Sequence, residues 1–159
     1  MIWQAFADAA PELARSGLQR FDGTRVAILG TLRLDGWPRI SPIEPSFIAG
    51  HLLFGVMRSA KAQDLLRDPR CVLHSSIADI SGSEGEFKVY GRAVLVDDPE
   101  LRNAGQDVWW RAHPPEAAHV FSLDIESAAL VEWDVERGHY TVTMWSAGSG
   151  VRKEERTYP

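Results

Sequence analysis

The chain has one cysteine, Cys71, in 159 residues. It therefore has no internal disulfide and no multi-cysteine metal site. No run of about 18 apolar residues is present, so no membrane-spanning helix is expected. The first residues, Met1 to Asp8, lack the basic start and apolar run of a signal peptide. Basic residues are outnumbered: 17 Lys+Arg stand against 22 Asp+Glu, a net charge of −5. A surface of that sign repels phosphate backbones, which argues against nucleic acid as a partner. The five histidines are scattered, with no pair at metal-ligand spacing. There is no P-loop, no Rossmann glycine fingerprint and no Gly-x-Ser-x-Gly elbow. What remains is 45% hydrophobic and 25% charged residues, the composition of one globular domain. A soluble, cytoplasmic protein with no membrane association is the resulting expectation.

Residues 1–21 read as helical, with Phe6, Ala10, Leu13 and Leu18 at helical spacing and Pro11 opening a second segment. The helix is predicted to end near Gly17, with a turn at Asp22-Gly23. A β-rich run, residues 25–32, leads to the hairpin signal Asp35-Gly36. The following strand, residues 37–43, carries Pro38 and Pro42 and so belongs at an edge or a bulge. Residues 46–48 and 52–56 flank a hairpin at residues 49–51. Residues 59–67 form a helix with Ser59 as N-cap, Pro69 as stop, and Leu65 and Leu66 facing the core. Residues 71–77 and 86–96 read as strands around a polar loop. A helix opens at Asp98-Pro99 and runs to about His113. Strands 123–133 and 140–145 precede a polar tail, residues 146–159. About seven strands with two or three attached helices favour an antiparallel barrel, mainly β with peripheral helices. The whole chain is one domain, with its barrel core over about residues 22–145.

The strongest chemical signal is the turn after the strand ending at Val56. Arg58 and Ser59 occupy the turn, and Lys61 falls in the first turn of the helix. A helix N-terminus offers unpaired N–H groups and the positive end of the dipole, so a lysine there runs against the dipole unless an anion is bound. A bland alternative is an exposed lysine with an arginine paired to Asp64. A second segment, Arg39-Ile40-Ser41-Pro42, lies on the proline-bearing strand and leaves backbone groups free for a ligand edge. Trp109, Trp110 and Trp133 read as packing residues. Trp145, beside a Ser/Gly-rich loop, is placed to reach a ligand or a partner subunit. Cys71 reads as an inert buried thiol. No side chain stands out as a nucleophile.

These segments, in order, are Val26 to Leu32, Asp35 to Pro42, Ser59 to Arg70 and Gly85 to Ala93. Together they resemble the pyridoxamine 5′-phosphate oxidase-like, FMN-binding split β-barrel family over roughly residues 20–145. The resemblance implies a split barrel, a homodimer and two FMN sites at the dimer interface. It implies that Arg39, Ile40, Ser41 and Pro42 lie along the flavin ring, and that Val56, Arg58, Ser59 and Lys61 form the phosphate end. It also implies that Glu86 and Trp145 complete the site across the interface. Ala60 stands where the oxidase itself has a basic residue, and its C-terminal substrate arginine pattern is missing. These departures point away from pyridoxamine phosphate oxidation. The implied function is that of a flavin-dependent oxidoreductase with an unidentified small-molecule substrate. The deazaflavin coenzyme F-420 as cofactor is an alternative, as is a non-catalytic flavin-binding or haem-binding protein, with His74 or another histidine as haem ligand.

Overall fold

The computed structural model describes residues 1–77, 81, 83–109 and 117–157. Two short helices begin the chain, α1 (Trp3–Ala9) and α2 (Pro11–Thr24). The break falls at Ala10, and Pro11 starts α2 because a helix's first residue needs no N–H donor. Contrary to the sequence expectation, α2 does not stop at Gly17. It ends at Arg25, whose left-handed backbone (φ 56°) turns its N–H onto the Phe21 carbonyl. Gly17 has a packing role instead. A side-chain carbon there would come within 2.5 Å of the Phe87 ring, so glycine lets the helix sit directly on that ring.

Among the described residues nine strands follow: β1 (Ala27–Leu32), β2 (Pro38–Ile43), β3 (Pro45–Ile48), β4 (His51–Met57), β5 (Arg70–Ser75), β6 (Glu86–Leu95), β7 (Ala118–Asp134), β8 (His139–Ser146) and β9 (Gly150–Thr157). Helix α3 (Ala60–Arg67) lies between β4 and β5, and α4 (Pro99–Trp109) between β6 and β7. All pairings are antiparallel, in the order β2-β1-β5-β6-β7-β4-β3, with β8 and β9 added beyond the second half of β7. The two ends of this path, β2 and β3, are consecutive in the chain and meet at Glu44. The sheet therefore wraps round on itself through a covalent link where no ladder of hydrogen bonds joins its edges. This is a split β-barrel with peripheral helices, as expected. The two prolines of β2 sit at this edge, where a missing N–H breaks no ladder.

The barrel interior is read directly from alternation. Ala27, Leu29 and Thr31 of β1 are buried while Ile28, Gly30 and Leu32 are less so. Phe87 and Val89 of β6 and Leu123 and Ile125 of β7 add to the same core. Helices α1 and α2 close it with an aromatic cluster of Trp3, Phe6 and Phe21 against Phe47, Phe87 and Trp145. Strand β4 breaks the alternation because both its faces are covered. Leu52, Phe54 and Val56 join the main core. Leu53 packs with Val96, Val120 and Leu101 beneath α4. At Tyr90/Gly91 the β6–β7 register slips by one residue. A side-chain carbon at Gly91 would fall on the Asp124 carbonyl oxygen, so the bulge requires glycine.

Several boundaries differ from the sequence reading. The polar tail is largely a strand, β9, held by backbone pairing to β8. Its run Gly-Val-Arg-Lys-Glu-Glu-Arg-Thr shows no apolar alternation, and its side chains are almost all exposed among the described residues. β7 begins five residues earlier than expected, at Ala118. Leu66 is 46% exposed, since α3 lays only Ala62, Asp64 and Leu65 on the barrel. The predicted end of α4 near His113, and Trp110, lie outside the described residues.

Candidate functional site

Helix α3 begins abruptly. Ser59 has the extended backbone of an N-cap (φ −149°, ψ 175°), but its hydroxyl caps nothing. Ser59 Oγ is buried and has no hydrogen-bond partner among the described residues. The first amides of α3 thus lack a side-chain acceptor. Lys61, half-buried in that first turn, donates from Nζ to the Pro42 carbonyl of β2 at 3.2 Å. Desolvation lowers its pKa, an effect the Glu44 carboxylate opposes. Arg58, the exposed residue before Ser59, makes no ion pair among the described residues. Hydroxyl, uncapped amides and two cations fall within a few consecutive residues, a combination that suits an oxyanion such as a phosphate.

Asp64, one turn further along α3, is not paired with Arg58. It is 3% exposed. It accepts from Arg39 Nε at 2.6 Å, Thr31 Oγ1 at 3.2 Å and Arg67 Nη1 at 3.4 Å. Arg67 also donates to the Leu32 carbonyl. Burial pushes the Asp64 carboxyl up, but the hydrogen bonds from Arg39 and Thr31 and the Arg39 charge more than offset it. Its pKa lies below the ordinary carboxylate value.

The four β2 residues divide between two faces. Arg39 and Ser41 are opposite Thr31 and Leu29, on the inward side. Ile40 and Pro42 are opposite Gly30 and Ile28, on the outer face. Val56 is 1% exposed in the barrel core, so only its backbone is left to face a ligand.

The outer face continues across β1, β5, β6 and β7. One row runs Ile40, Gly30, Val72, Tyr90, Ser127; the next runs Pro42, Ile28, His74, Lys88, Ala129, Met144. Glu86 lies here too, bonded to His74 Nε2 at 2.9 Å and Lys88 Nζ at 2.8 Å. Burial raises the Glu86 pKa, and the hydrogen bonds and charges of Lys88 and His74 more than compensate, leaving it lowered. His74 Nδ1 is occupied by the Ser75 carbonyl at 2.6 Å.

Farther along this face is a cavity of about 440 Å³ lined by Tyr90, Ser127, Met144, Trp145 and Arg152 among others. Trp145 is 4% exposed and packs on Phe6 with ring centroids 4.9 Å apart. It is a core residue that also lines the cavity wall. The structure therefore brings Arg39, Pro42, Ser59 and Lys61 together and keeps Trp145 apart from them. Four strands, β1, β5, β6 and β7, intervene between β2 and β8. At about 4.8 Å per strand, the separation along the sheet is roughly 24 Å.

Sequence reasoning offered Asp64 only as an arginine's ion-pair partner; it missed the bonds to Arg39 and Thr31 and the partners of Glu86. A signal for Asp64 existed: Thr31 follows Ala27 and Leu29 at inward spacing, so a polar partner beneath the barrel wall was required. Cys71 is buried, and desolvation pushes its thiol up to about 12. It should resist thiol reagents at neutral pH in the folded state and react only on denaturation. Stoichiometric labelling by a maleimide without denaturant would contradict that placement.

No helix among the described residues is long and apolar enough to cross a membrane. Among curated proteins, none matches the chain. Solved structures with the same fold include an FMN-binding, pyridoxamine 5′-phosphate oxidase-related protein from Nostoc punctiforme. It has a TM-score of 0.66 at 16% identity, over 94% of this chain and 96% of that one. PhzG from Burkholderia lata, solved with tetrahydrophenazine-1-carboxylic acid, gives 0.68 at 13% identity over 94% and 93%. A heme-binding protein from Mycobacterium smegmatis gives 0.59 at 13% identity over 90% and 88%. These likenesses establish the fold. The family model for pyridoxamine 5′-phosphate oxidase matches residues 16–141, which takes in β1 to β7 and α3 with its uncapped start. By that match the chain belongs to the pyridoxamine 5′-phosphate oxidase family.

Proposed function

We propose that this protein binds FMN and acts as a flavin-dependent oxidoreductase on a small molecule, working as a homodimer. The observation that carries the reading is the buried, unpartnered Ser59 hydroxyl at the uncapped start of α3, with Lys61 and Arg58 beside it. A phosphate monoester supplies the acceptor oxygens that this hydroxyl, the first helix amides and the two cations lack. The Nostoc relative's FMN-binding description agrees with that choice of phosphate ester. Bound flavin would supply hydride and electron transfer, and the chain would supply binding and orientation. Ser59, Lys61 and Arg58 would hold the phosphate, while Ile40 and Pro42 would flank the ring from the exposed β2 edge. Haem is a poorer fit at His74, because both its ring nitrogens are already bonded.

The same geometry supports the homodimer reading. The barrel interior is filled by side chains, so a tricyclic ring must lie outside it. The outer face bears Ile40 at 66%, Tyr90 at 43% and Trp133 at 37% exposure, with Gly30, Val72 and Met144 between. A second copy would cover these side chains. It would also bring its cavity beside Tyr90 and Trp145 to the first copy's α3, supplying the wall that one chain holds too far away. Sedimentation at micromolar concentration should give about twice the 17.7 kDa chain mass. Dissociation on dilution should release FMN together with the partner. A monomer that holds FMN tightly would overturn the shared site. Titration with FMN, and mass spectrometry of any small molecule that copurifies, test the cofactor itself. Copurification of a deazaflavin or haem in its place would replace the reading.

A further inference from the structure

Two bonds strap the start of α3 to β2. Lys61 reaches the Pro42 carbonyl, and Asp64 reaches Arg39. Each pair is spaced by three residues on its element: the two helix positions are about 5–6 Å apart on α3, and the two β2 residues are about 10 Å apart along the strand. The Asp64 carboxylate accepts on both oxygens: Oδ2 takes Thr31 and Arg39, and Oδ1 takes Arg67. Arg39, by contrast, uses only Nε. Its terminal nitrogens have no hydrogen-bond partner among the described residues, and its side chain is 31% exposed. Two arginines against one carboxylate leave this cluster with net positive charge. A guanidinium gripped at Nε has its plane fixed and its fork end free, which is the arrangement that recognises a phosphate or carbonyl oxygen.

We infer that Asp64 is a positioning residue: by holding Arg39 through Nε, it presents the free end of that guanidinium to the phosphate gathered at the start of α3. The inference rests on the FMN reading above. It assigns phosphate selectivity to a carboxylate that itself touches no ligand.

The test measures dissociation constants for FMN and for riboflavin, which lacks the phosphate, by fluorescence quenching on the full chain. The proteins are wild type, Asp64→Asn, Arg39→Gln and the double variant, each checked for folding by near-ultraviolet circular dichroism. Asp64→Asn keeps the side-chain volume and removes the charge. It should weaken FMN about tenfold and riboflavin less than about twofold. In the Arg39→Gln background the same substitution should add nothing, because the residue through which it acts is gone. Equal losses for FMN and riboflavin, or additive losses in the double variant, would overturn the inference. If Asp64→Asn does not fold, Thr31→Val removes a single bond to the carboxylate and should lower FMN affinity by about threefold with riboflavin unchanged. Unchanged FMN affinity in that variant would reject the role. Wild-type protein with no preference for FMN over riboflavin would instead reject the phosphate site and this inference with it. A preference that survives in folded Asp64→Asn would reject only the assignment to Asp64.

Discussion

Replacing Lys61 by alanine is expected to weaken FMN binding by about ten- to a hundredfold. A charge-assisted hydrogen bond to a phosphate is worth about 1.5–3 kcal/mol, and each 1.4 kcal/mol is about tenfold in affinity. The structure puts this lysine where its charge is poorly compensated. Its ammonium sits at the positive end of the α3 dipole, it is partly desolvated, and its one hydrogen bond goes to a neutral carbonyl. A bound phosphate relieves all three conditions. Lys61 also ties α3 to β2, so alanine removes a strap as well as a charge. Lys61→Gln separates the two, because an amide can still donate to the Pro42 carbonyl. If the charge dominates, glutamine should lose nearly as much affinity as alanine. Riboflavin affinity should change little in either variant. Arg58→Ala should have a smaller effect, because an exposed side chain is screened by water. An unchanged FMN dissociation constant in folded Lys61→Ala would remove the lysine from the site.

Phe87→Ala is expected to destabilise the fold by about 3–5 kcal/mol, the usual consequence of emptying a large buried aromatic site. Phe87 is fully buried. Its ring meets Phe21 edge-on at 5.6 Å and Trp3 at 6.4 Å. It also lies against Gly17, whose lack of a side chain exists to admit it. Alanine would leave a void between α2 and β6 that two helices and a barrel wall cannot all move to fill. For a chain of this length the melting temperature should fall by roughly 10 °C. A drop of less than about 3 °C in a thermal melt would mean that α1 and α2 are not the integral barrel cover described above. The substitution lies outside the phosphate cradle. FMN affinity measured well below the melting temperature should therefore remain close to wild type, which separates a folding defect from a site defect.

The order of elements was legible in the residues because the signals for it are local. Asp35-Gly36 marks a hairpin by its turn preference, and Ser59 and Pro69 bracket α3. Pro38 and Pro42 restrict β2 to an edge whatever surrounds it. The placement of Arg58, Ser59 and Lys61 around the start of α3, which the proposed phosphate site uses, was legible for the same reason: a cation in a helix's first turn conflicts with that helix's own dipole. β9 was not legible. It forms through backbone pairing to a neighbour, and neither of its faces carries the apolar alternation that announces a strand. Glycine at position 17 reads as a helix end until Phe87, 70 residues away in the chain, is seen to occupy the space beside it.

By itself, then, the sequence determined the barrel class, the edge position of β2 and the grouping of Arg58, Ser59 and Lys61 at the α3 start. Each depends on contacts within a few residues of chain. The tertiary structure alone decided the rest. It buried Trp145 against Phe6, so that a residue expected at a ligand lines a cavity from within the core. It put four strands between that residue's strand and β2, whose Pro42 carbonyl bonds Lys61, and tied Asp64 to Arg39 and Arg67 rather than to Arg58. It engaged Glu86 with His74 and Lys88. These outcomes depend on strand register and barrel closure. Register pairs residues tens of positions apart, and a shift of one residue would turn every one of these side chains to the opposite face.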